Sequence, residues 1–97
     1  MIAHVVEFHG PADQLEKTGM DGFHERVVPV LRAQPGFAGT LILLDRQHDT
    51  MLGITLWDSD ENGKRAGERL AREIQQGEDE MGATAPAPLL YEVMAQL

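Results

Sequence analysis

Residues 37–57 read FAGTLILLDRQHDTMLGITLW, and this stretch decides the fold. Two runs rich in aliphatic and β-branched residues, Phe37–Arg46 and Met51–Trp57, flank the polar tetrad Gln47-His48-Asp49-Thr50. A polar connection that short joins antiparallel neighbours, so the stretch reads as a β-hairpin. Side chains alternate faces along a strand. Leu41 and Leu43 therefore share one face, and Ile42 and Leu44 the other. In the second run Met51, Thr55 and Trp57 oppose Leu52, Ile54 and Leu56. A sheet with one wet face alternates apolar with polar. This hairpin does not, so both of its faces call for cover.

Working outward toward the N-terminus, Ile2–His9 is short, β-branched and aromatic, and Gly10-Pro11 stops it, which marks a strand. From Ala12 the period changes. Leu15, Met20, Phe23, Val27, Val30 and Leu31 recur every three to five residues or closer, the stripe of an amphipathic helix. Gly19 and Gly22 weaken that helix and Pro29 is expected to kink it, before Gln34-Pro35-Gly36 ends it. Beyond the hairpin, Asp58-Ser59-Asp60-Glu61 predicts a helix start, with Asp58 and Glu61 at capping-box spacing. Ala66, Leu70 and Ile74 give this second helix a thin apolar stripe beside Gly63, Gly67 and Ala71. Glu68/Arg72 and Arg69/Glu73 are spaced for ion pairs on its wet side. Residues 77–88 (GEDEMGATAPAP) have the composition of a surface loop, and Leu89–Gln96 reads as a last strand. The order β-α-β-β-α-β is the α+β, ferredoxin-like arrangement with a four-stranded antiparallel sheet, in a single domain spanning residues 1–97.

The composition narrows the chemistry. The absence of cysteine excludes a disulfide framework, a thiol nucleophile and a zinc ribbon. A net charge of −8 argues against binding a phosphate backbone or an anionic membrane surface. No stretch approaches the roughly 20 apolar residues of a membrane span. The first residues carry no basic leader, so a cytoplasmic location is the expectation. No nucleotide-binding glycine loop and no GxSxG elbow occurs.

The histidines are spread out. His4 and His9 fall on opposite faces of one strand, and no HxH, HxxxH or HExxH spacing exists, so no metal site is expected. His48 reads as a solvated turn residue. His24 follows Phe23 at the edge of the helical stripe, where it is either a partly buried structural residue or a group facing a helix–sheet pocket. Trp57, the only tryptophan, is either an apolar plug between strand and helix or a pocket wall offering its N–H.

The stretch VVPVLRAQPGFAGTLILLDRQHDTMLGITLWDSDENGKRA (27–66) resembles the antibiotic-biosynthesis monooxygenase-like (ABM) family of dimeric α/β-barrel proteins. The marks are Gln34-Pro35-Gly36-Phe37 at the helix exit, the strand pair, and Trp57 followed by Asp58-Ser59-Asp60-Glu61. The resemblance implies either of two activities. One is cofactor-free monooxygenation of a small planar phenolic, quinol or polyketide-like substrate. Phe23, Val27, Met51, Thr55 and Trp57 would then wall the pocket, with His24 the best base and Trp57 the second catalytic candidate through its N–H. The other is haem degradation, which uses a first-strand asparagine, the third-strand tryptophan and a second-helix histidine. Only Trp57 matches that set, since the first strand has no asparagine and no histidine follows His48. A non-catalytic small-molecule-binding or stress-response module is the further alternative.

The unpatterned hairpin also predicts a homodimer. Two helices cover one sheet face only. Each large aliphatic side chain left in water forgoes about 1.5–3 kcal/mol, comparable in sum to the stability of a small domain. A second copy packed on the same face removes that exposure.

Overall fold

The computed structural model describes all residues, 1–97. The elements are β1 (Ile2–His9), α1 (Ala12–Gly22), a π-helical turn (Phe23–Val27), α2 (Val28–Ala33), β2 (Phe37–Asp45), β3 (Thr50–Trp57), α3 (Asp60–Met81) and β4 (Leu89–Glu92). The strands form one antiparallel sheet in the order β2-β3-β1-β4. This is the ferredoxin-like α+β fold read from the sequence.

The hairpin register is set at its turn. Asp45 Oδ2 meets His48 Nδ1 at 2.7 Å, while Oδ1 accepts from the backbone N–H of Gln47 and of His48. The bond to the His48 ring, aided by those to the backbone, holds the Asp45 carboxyl below its usual range. Asp49, in the left-handed region, turns the chain into β3 and lends Oδ1 to the backbone N–H of Ala12 at 3.1 Å. It thereby supplies an acceptor at the start of α1 that Pro11 cannot.

The helical run at residues 12–33 is not one α-helix. Pro29 has no N–H to give Glu25, and one extra residue is taken up just ahead of it. Val28 N–H reaches Phe23 O, five residues back, closing a π turn between α1 and α2. The second helix begins one residue later than the spacing of Asp58 and Glu61 suggests. Ser59 is the cap and its hydroxyl accepts from Asn62 N–H at 3.2 Å, while Asp58 accepts from Asn62 Nδ2 at 2.8 Å. Residues 77–81, read as loop, continue α3. Met81 is buried there, and Gly82 closes the helix in the left-handed conformation. The final strand stops at Glu92 rather than Gln96.

Both helical layers lie on one face of the sheet, where His4, Val6, Met51, Thr55 and Trp57 are buried. The core divides into two clusters. Leu15, Met51, Met81 and Ala83 pack at one end, and Leu31, Trp57, Ala66 and Leu70 at the other. At the second end Gly63 of α3 packs over Ile2 and Trp57, and a β-carbon there would make ordinary contact with both, at 3.4 and 3.6 Å. The other sheet face is open. Leu41, Ile54, Val5 and Leu89 form one ladder across all four strands, and Leu41 and Leu89 are 59% and 56% exposed. No helix is long and apolar enough to cross a membrane.

The two corners of the fold meet at Gly36. Its carbonyl accepts from Asp58 N–H at 2.9 Å, and its φ of 80° places it in the left-handed region. A β-carbon there would collide with the Asp58 carboxylate and come within 2.6 Å of Asn62 Nδ2. Gly36→Ala should therefore lower stability by about 1–3 kcal/mol, read from urea denaturation, from backbone strain and a displaced Asp58. Gly39→Ala is the control, because no atom lies within 4 Å of its β-carbon position although its φ is also positive.

Candidate functional site

Between the two core clusters the helix–sheet interface is not filled. A cavity of about 90 Å³ lies there, bounded by Met51 and Met81 from one cluster and by Leu31 and Leu70 from the other. Val6, Phe8, Thr40, Ile42 and Gly53 form its sheet floor. Its roof is the second half of α1 with the π turn, namely Thr18, Gly19, Met20, Gly22, Phe23, Arg26 and Val27. The glycines that weaken α1 make room here. A β-carbon on Gly19 would sit 2.7 Å from Met81 Sδ, and one on Gly22 would sit 2.6 Å from Arg26 Nη2.

Four residues expected in the pocket wall, Phe23, Val27, Met51 and Thr55, do line this cavity. Thr55 shares a hydrogen bond with Thr40 at 3.3 Å, and Thr40 Oγ1 donates to the Ile54 carbonyl. Trp57 and His24 do not line it. The Trp57 indole is fully buried at the Leu31 end, edge-on to Phe37 with ring centres 5.8 Å apart, and its Nε1 has no partner. It lies on the helix-facing side of β3 as its parity predicts, but one cluster away from the space. His24 is exposed. It lies in the π turn, where its ring stands at 69° to that of Phe23 with a centroid distance of 5.5 Å. The α-helical stripe that placed it at a pocket edge does not hold across a π turn.

The imidazole at the cavity is that of His4, on β1 opposite Thr55. It is 5% exposed, and Nε2 lies where a β-carbon on Gly67 would approach within 3.4 Å. His4 also lines a shallow groove on the far side, between α3 and residues 85–90, together with Lys64, Glu68 and Glu78. Burial pushes its pKa below the ordinary value. The alternation of β1 put His4 on one face with Val6 and Phe8, so its inward direction was readable once the helix-facing side was known.

Three charged residues, Arg26, Glu73 and Glu80, also line the cavity. Arg26 Nη1 holds Glu80 at 2.8 Å, and Glu73 accepts from Arg69 Nη1 at 3.1 Å. Arg26 Nε and Glu73 Oε2 are buried with no partner. No three His, Asp or Glu side chains gather as a metal-binding group.

No protein-family model and no curated protein sequence matches the chain. Solved structures do. A mutant form of the cofactor-independent oxygenase SnoaB from Streptomyces nogalater superposes with a TM-score of 0.72 at 19% identity, over 99% of this chain and 95% of that one. The heme-degrader MhuD from Mycobacterium tuberculosis gives 0.74 at 22% identity, over 100% and 99%. A dimeric ferredoxin-like protein from an uncultured marine organism gives 0.69 at 13% identity, over 99% and 96%. This full-length likeness shows that the chain shares the fold of these structures.

Burial of His4 has a consequence for stability. Above about pH 6.5 the imidazole is neutral in the folded and the unfolded chain alike, and the full stability is present. Below that the unfolded chain takes up a proton that the folded chain refuses, so stability is lost as pH falls toward the depressed folded value. The melting temperature should therefore drop between pH 7.5 and 5.5. His4→Gln should flatten that slope, and an equal slope in parent and variant would assign the effect elsewhere.

Proposed function

We propose that this chain is a cofactor-independent monooxygenase of the antibiotic-biosynthesis type, acting as a homodimer on a small planar phenolic, quinol or polyketide-like substrate. The observation that carries this reading is the unfilled apolar cavity at the helix–sheet interface, with a few buried polar groups at its wall. An apolar pocket with sparse polar groups is what orients a planar organic molecule while keeping water out. Likeness in fold to a cofactor-independent oxygenase supports the same reading.

The chemistry asks little of the protein. A phenolic O–H breaks, its proton passes to a base, and the resulting anion gives one electron to dioxygen before the radical pair joins at a ring carbon. The peroxide takes the proton back, and its O–O bond breaks as the hydrogen on that carbon leaves, giving a carbonyl and one water. The cavity offers two proton acceptors of unequal strength, Glu73 Oε2, which has no donor, and the imidazole of His4, which burial makes a weaker base than usual. His24 is not among them. At about 90 Å³ the cavity is smaller than an engineered one of about 150 Å³ that admits benzene. Substrate must push aside part of the lining, and Met20, Met51 and Met81 are the yielding side chains.

Haem does not fit these residues as well. With no histidine after His48, α3 has no imidazole to present. The one imidazole at the cavity, His4, is on β1 with its Nε2 packed against Gly67.

The homodimer reading rests on the open ladder Leu41–Ile54–Val5–Leu89 and its neighbours Leu43, Leu52 and Tyr91. Light scattering at low micromolar concentration should return about twice the 10.7 kDa chain mass. A Leu41→Lys/Ile54→Lys variant should scatter as a monomer or fail to stay soluble. A parent protein that is monomeric and well folded would sink the assembly.

Activity is tested by oxygen uptake with a panel of hydroquinones and anthrones. Uptake above background is expected for at least one compound and should fall severalfold in Met51→Trp, which fills the cavity. Background uptake across the whole panel would leave a binding module with the same pocket.

A further inference from the structure

Two groups at the cavity wall are left with unused hydrogen-bonding capacity, and they are of opposite kind. The Arg26 guanidinium extends from the π turn. Nη1 is committed to both carboxylate oxygens of Glu80, at 2.8 and 2.9 Å, and Nη2 lies over Gly22. Its Nε–H is buried and has no acceptor. On α3, Glu73 is only 11% exposed along its side chain. Its Oε1 accepts from Arg69, while Oε2 is buried and has no donor. The donor and the acceptor do not pair with each other, although both residues line the same space. A buried polar group without a partner is destabilising, more so when it is charged. Each would be relieved by a ligand that met it.

We infer that Arg26 Nε and Glu73 Oε2 form a two-point polar clamp that selects a neutral planar ligand carrying both a hydrogen-bond acceptor and a hydroxyl, and rejects carboxylates. This deepens the monooxygenase reading and rests on its cavity. The acceptor, a carbonyl oxygen, takes the Arg26 Nε–H. The hydroxyl donates to Glu73 Oε2. Charge decides against an acid: Arg26 is already spent on Glu80 and Arg69 on Glu73, so the wall holds no free positive charge to offset the cost of taking a carboxylate out of water. A cationic amine could satisfy Glu73 but has nothing to offer Arg26. A hydroxy-ketone satisfies both.

Binding under argon tests this without turnover. The probes are 6-hydroxy-1-tetralone, which carries hydroxyl and carbonyl too far apart to bond each other, 1-tetralone, 5,6,7,8-tetrahydro-2-naphthol and 6-hydroxy-2-naphthoate. Titration calorimetry should show the hydroxy-ketone bound at least tenfold more tightly than the ketone or the phenol, and the carboxylate weakest. Arg26→Lys should weaken the hydroxy-ketone and the ketone about tenfold and leave the phenol unchanged. Glu73→Gln should weaken the hydroxy-ketone and the phenol and leave the ketone unchanged. Opposite selectivity in the two variants separates the clamp from loss of folding, which would weaken every probe. Equal affinity for all four probes, a preference for the carboxylate, or no binding of any probe to the parent up to its solubility limit would overturn the inference. Binding in the expected order with no oxygen uptake on the quinol panel leaves the clamp standing and removes the monooxygenase. Uptake with the order reversed does the opposite.

Discussion

Two helices laid over one sheet face have to approach it closely at their ends while leaving room between, and most of the molecule follows from that requirement. At one end α3 packs on Trp57 through Gly63 and Ala66, and at the other Gly19 lets α1 close on Met81 and Met51. Gly19 acts by permitting approach, since a side chain there would have to displace Met81. Between these contacts Leu31, Leu70, Met51 and Met81 face one another across unfilled space. Interiors normally pack at crystal-like density, and a void forfeits dispersion contacts on every wall. A chain this short has little stability to spare, so a void kept in the middle of its core indicates a use for that space.

The π turn sits where this arrangement most needs it. Pro29 forbids the hydrogen bond that would continue α1 regularly, and the extra residue of the turn swings Phe23, Arg26 and Val27 over the cavity. The same turn ties the roof to α3, because Arg26 reaches Glu80 across the two helical layers. A partly exposed ion pair of this kind contributes little to stability on its own. Its geometry matters more: it fixes which nitrogen of the guanidinium is spent and which is left over.

Much of the fold was legible in residues 37–57. Alternation of Leu41 and Leu43 against Ile42 and Leu44 gave the faces of β2, and the parity of Met51, Thr55 and Trp57 gave the inward side of β3. Those are period-2 facts, which a strand preserves. The first helical run was different. An α-helical stripe assumes 3.6 residues per turn throughout, and one π turn resets the phase, so the stripe places His24 at an edge that it does not occupy. Gly77 and the acids around it read as loop because composition carries no record of Met81 reaching back into the core. The cavity itself left a partial trace. Four of its walls were visible as the apolar stripe and strand face, whereas His4 passed as one histidine among four, and the unspent atoms of Arg26 and Glu73 exist only once both helices are in place.

Strand β3 serves two surfaces with alternate residues. Met51, Gly53 and Thr55 look into the cavity, while Leu52, Ile54 and Leu56 look out onto the open face. A point change therefore reaches one surface and leaves the other's side chains in place, because neighbours along the strand never share a side. The interior can be reshaped for a new guest by substitutions at odd-numbered positions, with the outer ladder untouched. Even-numbered positions are free to vary on their own schedule. Selection on one trait need not drag the other with it, and within eight consecutive residues the chain holds two separately adjustable characters.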